Sequence, residues 1–156
     1  MQIVTVVPVL TTPESRGTVR LQSTNYTDLP LVDPGYLSSP ADRQIILWGY
    51  KRLRSVMLSS TFDSIRVDEV SPGLNVTSDA DLMNAIEQGA STMHHISGTA
   101  GMRPLAQGGV VDHELKVHGF QKLRIVDASV LPIIPTVPIQ ASVYAVAEKV
   151  MYFLEY

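Results

Sequence analysis

Helical spacing of apolar residues is confined to three stretches of this 156-residue chain, and long segments broken by proline and glycine separate them. The first stretch runs from about 42 to 60. The second, at about 78–88, begins where Ser78 and two early aspartates suit a helix N-terminus, and the third, at 141–156, contains neither glycine nor proline. The sequence therefore predicts three helices, each with one apolar face.

Strand-forming patterns lie near the N-terminus. Residues 3–10 are β-rich, and residues 18–22 alternate apolar with polar side chains. A turn at 14–17 lies between them, so the two segments are predicted to form an antiparallel pair. Together with the helices, this pattern predicts a single α+β domain over residues 1–156, in which an antiparallel sheet of about five or six strands is covered by helices.

The bulk composition excludes several classes of function. With 45% apolar and 17% charged residues, the chain is globular rather than disordered. Its formal net charge is −3, and its basic residues cluster no further than Lys51, Arg52 and Arg54, so no nucleic-acid partner is expected. No apolar run reaches the ~20 residues that a membrane span needs. The opening residues also lack the basic region of a signal peptide, which favours a soluble, cytoplasmic protein.

Metal binding by thiolates is excluded because the chain has no cysteine. His113 and His118 flank Glu114, but their spacing is not that of a strong metal motif. No metal site is therefore predicted.

Candidate catalytic residues lie between 91 and 109, where the chain is rich in Gly, Ser, Thr and His and shows little periodicity. This composition indicates a loop, and functional side chains favour loops. Histidine has an ordinary pKa of about 6.5, so it exchanges protons at physiological pH. His95 and its neighbour His94 are therefore the candidates for acid–base chemistry.

Four blocks of the sequence, in order, resemble the C-terminal domain of the glucose–methanol–choline (GMC) flavin oxidoreductases. The chain is most similar to the members of this family that resemble fungal aryl-alcohol oxidases. Any one block alone would be weak evidence for the resemblance, but four blocks in the family's order make it specific. The blocks are 13–21 (PESRGTVRL), 31–37 (LVDPGYL), 95–102 (HISGTAGM, similar to the family signature HxxGTxxM) and 123–132 (LRIVDASVLP, similar to LRVVDASxxP), followed by the terminal-helix match at 144–149 (YAVAEK).

The resemblance implies an FAD-dependent oxidation of a small organic alcohol or natural product at a CH–OH group. His95 matches the family histidine that accepts the hydroxyl proton, and Gly98 would let the backbone pass close to a flat ring. By the same resemblance, the cofactor-binding residues are Asp127, Ala128 and Gln140, and the substrate-binding residues are Thr99, Pro138 and Ile139. Asp127 has a structural alternative, since a strand-end aspartate can simply cap the next turn.

Two departures from the family pattern leave the function open. Pro138 stands where the family places a second His or Asn, and proline has neither a side-chain donor nor a backbone N–H. The chain also lacks the Gly-x-Gly-x-x-Gly turn that holds the FAD pyrophosphate. FAD is therefore expected only if another half completes the site, through an FAD-binding polypeptide or a longer parent chain, and self-association is a further expectation.

An alternative function follows from these same departures. A cofactor-free lyase, isomerase or cyclase could use His95, with His94, on a small natural product. A non-catalytic remnant is the third interpretation.

Overall fold

A computed structural model describes residues 3–136 and 138–155 of the chain, the Glu155 side chain excepted. The chain divides into two compact units, Met1–Ser91 and Thr92–Tyr156. The division falls just before the histidine-bearing loop. The prediction of a single domain over 1–156 stays a prediction.

The N-terminal unit contains a two-stranded antiparallel ribbon, β1 (Thr18–Arg20) and β2 (Leu31–Asp33). The predicted partner of β1 was wrong, because residues 3–10 form no strand and β1 pairs with 31–33 instead. The segments that carry β1 and β2 approach so closely that a Cβ on Gly17 would lie 2.1 Å from the Asp33 carbonyl oxygen. This approach fixes the partner of β1, and it joins the first two sequence blocks to each other.

The first helix, α1 (Pro40–Met57), begins with two local signals. The Ser39 side chain accepts a hydrogen bond from Ala41 N, and proline occupies the first turn. Asp42 in that turn is 1% exposed, and its carboxylate accepts the backbone N–H groups of Glu14 (2.9 Å) and Ser15 (2.8 Å). Burial acts to raise the pKa of Asp42, but these hydrogen bonds outweigh it and leave the pKa lowered. The carboxylate thus ties the segment before β1 to α1.

The second helix, α2 (Asp79–Gly89), lies against α1. Ser78 caps it by accepting from Asp81 N, as its sequence predicts, and the helix ends at Gly89. The ion pairs Arg43–Glu87 and Lys51–Asp79 join the two helices at their exposed edges.

The segment between α1 and α2 is held by Arg54. Its guanidinium makes two hydrogen bonds to the Glu69 carboxylate, at 2.9 and 2.6 Å, and a third to the Val76 carbonyl oxygen at 2.7 Å. The Glu69 hydrogen bond raises the pKa of Arg54 against the effect of burial. This bidentate pairing is a geometry that only arginine provides.

The C-terminal unit packs a folded loop region against α3 (Gln140–Glu155). Its core consists of four buried residues, Val111, Leu115, Val130 and Val150. Because Val150 comes from α3 and Val130 follows Asp127, the core fixes the terminal helix beside the segment that bears the fourth sequence block.

The predicted sheet of five or six strands is not confirmed. In the described ranges, β1 and β2 are the only strands, and residues 102–124 form just three isolated bridges. The Asp112 carboxylate explains part of this difference, since it accepts the N–H groups of Glu114 (2.8 Å) and Lys116 (2.9 Å) and so turns the chain. Burial acts to raise the pKa of Asp112, but the amides of Lys116 and Glu114 outweigh it and lower the pKa.

Candidate functional site

The loop that follows His95 is joined to the Asp127 turn through main-chain atoms. Three hydrogen bonds link the two segments: Gly98 N to Ala128 O (3.2 Å), Ala100 N to Ser129 O (2.9 Å) and Met102 N to Val130 O (2.9 Å). The third and fourth sequence blocks, about 30 residues apart in the chain, therefore lie side by side.

Gly98 is required by this arrangement of the two loops. Its φ is +80°, a conformation that glycine adopts without strain, and a Cβ there would lie 3.3 Å from the Leu131 carbonyl oxygen. The sequence analysis predicted that a flat ring would lie against the backbone at Gly98. In the structure, the neighbour on that side is the main chain of Leu131.

His95 is half-buried, whereas His94 is exposed. His94 has a φ of +59° and its backbone N–H donates to Thr92 Oγ1 at 2.9 Å, so it forms a local turn. Exposure then alternates along the chain, since Ile96 is 62% exposed and Ser97 is again half-buried. His95 and Ser97 are thus the less exposed side chains of this stretch, and His94 and Ile96 are the more exposed ones.

Ser97 was missed by the sequence interpretation. Its Oγ is buried and has no hydrogen-bond partner among the described residues. Buried polar atoms in proteins nearly always have a partner. A serine in a loop rich in Ser and Thr gives no sequence signal of such an unusual environment.

Asp127 caps a short 3₁₀ turn, Ala128–Val130. Its Oδ1 accepts the Ser129 N–H at 2.7 Å, and the Ala128 carbonyl oxygen accepts from both Gly98 and Leu131. The cap that the structural alternative for Asp127 expects is therefore present. A contact with a cofactor through its other oxygen stays a prediction.

The remaining candidates lie at the start of α3 or in the histidine loop. Ile139 is 7% exposed, and its carbonyl oxygen accepts the Val143 N–H at 2.9 Å. Gln140 begins the helix, and its Nε2 lies 3.4 Å from the Tyr144 hydroxyl. Pro138 and Thr99 are exposed. Ile139 is thus part of the packed interior, which leaves Pro138, Gln140 and Thr99 accessible to a ligand.

His113 and His118 lie beside a separate cavity of about 260 Å³. His118 Nε2 is 2.9 Å from the Arg103 carbonyl oxygen. Within 3–136 and 138–155, no three His, Asp or Glu side chains are grouped so that they could hold a metal ion. Over those same ranges, no helix combines the length and the apolar character needed to cross a bilayer.

Comparison with known proteins adds independent findings. A family model described as GMC oxidoreductase matches residues 13–147. The chain is 37% identical over 147 residues to dehydrogenase pkfF of Emericella nidulans, covering 94% of this chain and 24% of that protein. It thus spans about a quarter of the length of the relatives that it matches.

Solved structures with a similar fold include two oxidoreductases. An FAD-dependent oxidoreductase from Chaetomium thermophilum matches with a TM-score of 0.85 and 32% identity over 92% of this chain and 25% of that chain. A fungal aryl-alcohol oxidase matches with a TM-score of 0.78 and 35% identity over 90% of this chain and 23% of that chain.

Proposed function

Because this chain belongs to the GMC oxidoreductase family and corresponds to its C-terminal domain, we propose that it forms the substrate side of an FAD-dependent oxidoreductase that acts on CH–OH donors. His95 is the proton acceptor in this proposal. The observation that supports it is the main-chain connection between the loop after His95 and the Asp127 turn. That connection joins the loop that follows the half-buried His95 to the turn that carries two of the residues proposed to face the cofactor.

The proposed reaction removes two hydrogens from an alcohol. The neutral imidazole of His95 takes the hydroxyl proton as the carbinol carbon loses its hydride, and the carbonyl product is released. A bound flavin supplies the acceptor for that hydride. His94, which is exposed and lies in a local turn, is the second, weaker candidate for the proton acceptor.

The donor set around the Asp127 turn fits a flavin. An isoalloxazine ring presents carbonyl oxygens and ring nitrogens at its polar edge, and these need hydrogen-bonding groups. The exposed Gln140 side-chain amide is such a group. Ala128 and Gln140, with the second carboxylate oxygen of Asp127, would hold the cofactor.

The substrate side is formed in this proposal by Thr99, Pro138 and the chain that leads into Ile139. Pro138 cannot hydrogen-bond a hydroxyl, so His95 acts without the second side chain usual in the family. We propose a small organic alcohol or natural product as the substrate.

The cofactor requires more protein than these residues, because the chain spans about a quarter of its relatives. An FAD-binding polypeptide, on the same parent chain or in trans, is part of the proposal, and self-association is the alternative partner. The proposal also keeps three predictions made from the sequence: the wider antiparallel sheet, the single-domain organisation and a cytoplasmic location.

The test of this function is His95→Gln in the flavoprotein that contains these 156 residues. Loss of a general base typically costs about 10²–10⁴ in rate, so flavin reduction by an alcohol should slow by that factor. His113→Gln is the matched control, since His113 is exposed and lies on a different loop. Equal reduction rates for His95→Gln and the control would refute the role of His95.

A second candidate function rests on Pro138. A cofactor-free cyclase or lyase needs no second side chain to hold a substrate hydroxyl, and it could use His95 for proton transfer alone. Bound flavin absorbance separates the two: a purified protein that turns over substrate without a yellow chromophore would establish the cofactor-free function and exclude the oxidoreductase.

A further inference from the structure

We propose that Arg103 is a positioning residue of the substrate side, because its guanidinium holds the chain that leads to Pro138. We call residues 132–136 and 138 the proline loop. This inference rests on the proposed function and deepens it. Arg103 comes directly after the signature block 95–102 and was not a candidate in the sequence analysis. It acts through the Pro132 carbonyl oxygen rather than by contact with a substrate.

The first argument is that the proline loop has very few hydrogen bonds. Among the residues that the structure describes, Pro132 is the only member of the loop that makes one, and its carbonyl oxygen accepts it from Arg103 Nη2. The three prolines of the loop have no backbone N–H to donate. A segment with so few hydrogen bonds opens readily. The position of the loop therefore depends on Arg103 more than on any other polar contact.

The second argument is that the backbone of Arg103 is itself held in place. Its N–H donates to the carbonyl oxygen of Val111, a core residue that is fully buried, at 3.3 Å. Its own carbonyl oxygen lies 2.9 Å from His118 Nε2. A Cβ on Gly109 would lie only 1.8 Å from that same carbonyl oxygen, so the chain passes close beside it. The guanidinium thus extends from a backbone that is tied to the core of the C-terminal unit.

The third argument is the place of Arg103 in the candidate site. Met102, the residue before it, donates its N–H to the Val130 carbonyl oxygen at 2.9 Å. Arg103 therefore follows directly on the main-chain connection between the histidine loop and the Asp127 turn. The proline loop comes after that turn in the chain and leads to Pro138, which is proposed to face the substrate. The contact of Arg103 joins the histidine loop to this segment as well.

Loss of the Arg103 contact should weaken alcohol binding more than it slows the chemical step. A net hydrogen bond changes an equilibrium by about three- to tenfold, so the open population of the proline loop should rise by that factor. A site whose binding-competent state is less populated has a correspondingly weaker apparent affinity. We therefore expect KM for the alcohol to rise about three- to tenfold with kcat nearly unchanged, because the loop is in place once the substrate is bound.

The experiment compares Arg103→Met with the parent flavoprotein that contains these 156 residues. Methionine keeps an unbranched side chain and removes the donor. KM and kcat are measured with benzyl alcohol as the probe. The rate at which proteinase K cuts between residues 132 and 138, followed by mass spectrometry, measures loop opening without any need for activity and should rise by the same factor as KM.

Two further variants complete the comparison. Arg103→Lys keeps a charged donor and should restore most of both quantities. Arg124→Met is the matched control, because the Arg124 Nε donates to the Glu114 carbonyl oxygen at 3.1 Å, elsewhere in the same unit. It should leave both KM and the cleavage rate in the proline loop at the parent values.

The outcomes separate this inference from the proposed function. Parent-like KM in Arg103→Met overturns the positioning role, whether or not cleavage of the loop becomes faster. An equal rise of KM in Arg124→Met also overturns it, since the cause is then a general loss of stability. If no alcohol reduces the flavin of the parent while Arg103→Met is cut faster, the proposed function fails and the substrate role of Arg103 fails with it, but its hold on the loop stands.

Discussion

Replacing Asp42 by asparagine should destabilise the N-terminal unit, although the two side chains have almost the same shape. The carboxylate is 1% exposed and uses one oxygen for each of two backbone amides, Glu14 N at Oδ1 and Ser15 N at Oδ2. An asparagine keeps one acceptor oxygen but turns an NH₂ group toward the second amide. One hydrogen bond is lost and two donors then face each other.

The size of the effect follows from the hydrogen bonds. A hydrogen bond to a charged group contributes about 1.5–3 kcal/mol, and the remaining bond weakens because the acceptor is no longer charged. Both amides are only partly buried, so water recovers some of the loss. We expect Asp42→Asn to lower the free energy of unfolding by about 2 kcal/mol at pH 7.

The pH dependence gives a second, independent check. The hydrogen bonds lower the pKa of Asp42 below its unfolded value of about 3.9. The stability that the carboxylate contributes is therefore complete above that value and is lost as the pH falls through the lower folded-state pKa. The difference between the parent and Asp42→Asn should shrink steadily as the pH falls below about 4.

Urea unfolding of the chain, followed by far-UV circular dichroism, measures both effects. With a slope of roughly 2 kcal/mol per molar urea for a chain of this size, the midpoint should fall by about 1 M at pH 7. Asp63→Asn is the control, because Asp63 pairs with Arg66 on the exposed surface, where ion pairs contribute little. An equal loss for both variants, or a gap that stays constant down to pH 2, would refute the argument from the buried carboxylate.

Two further variants test the site. Gly98→Ala should lower the melting temperature by more than Gly108→Ala. Both positions have positive φ, where an alanine costs roughly 1–2 kcal/mol, but only at Gly98 would the new Cβ also lie 3.3 Å from a carbonyl oxygen. Equal shifts would mean that the close approach of the two loops is unimportant. Pro138→His, in the flavin-loaded protein, should speed flavin reduction by an alcohol by about tenfold or more, since it restores a side chain able to hold the hydroxyl; stopped-flow absorbance measures this, and an unchanged rate would contradict the assignment of Pro138 to the substrate side.

The helices were predictable because their signals are local. Ser78 caps α2 as the sequence indicates, and α1 at Pro40–Met57 matches the predicted 42–60 within three residues at each end. The partner of β1 was not predictable from the same information. Pairing with Leu31–Asp33 depends on a close approach at Gly17, which is a contact between distant segments that alternation of side chains does not encode.

The site shows the same division between local and distant information. The sequence blocks made His95 and Asp127 candidates for the site. The cap made by Asp127 was foreseen as an alternative because it uses the next two residues only. The unpaired hydroxyl of Ser97 was not foreseen, since burial of one loop atom depends on how the whole C-terminal unit packs. The family motif predicts candidate positions for the site, whereas the packing decides which neighbours lie beside them.

The connection between the histidine loop and the Asp127 turn has a practical consequence for protein engineering. All three of its hydrogen bonds run between backbone atoms, so they do not depend on which side chains the flanking positions carry. A combinatorial library that randomises the exposed residues 96 and 99 while keeping Gly98 should retain a high fraction of folded members. Directed evolution of new selectivity is therefore best begun at these positions, where chemistry can be varied on an unchanged frame.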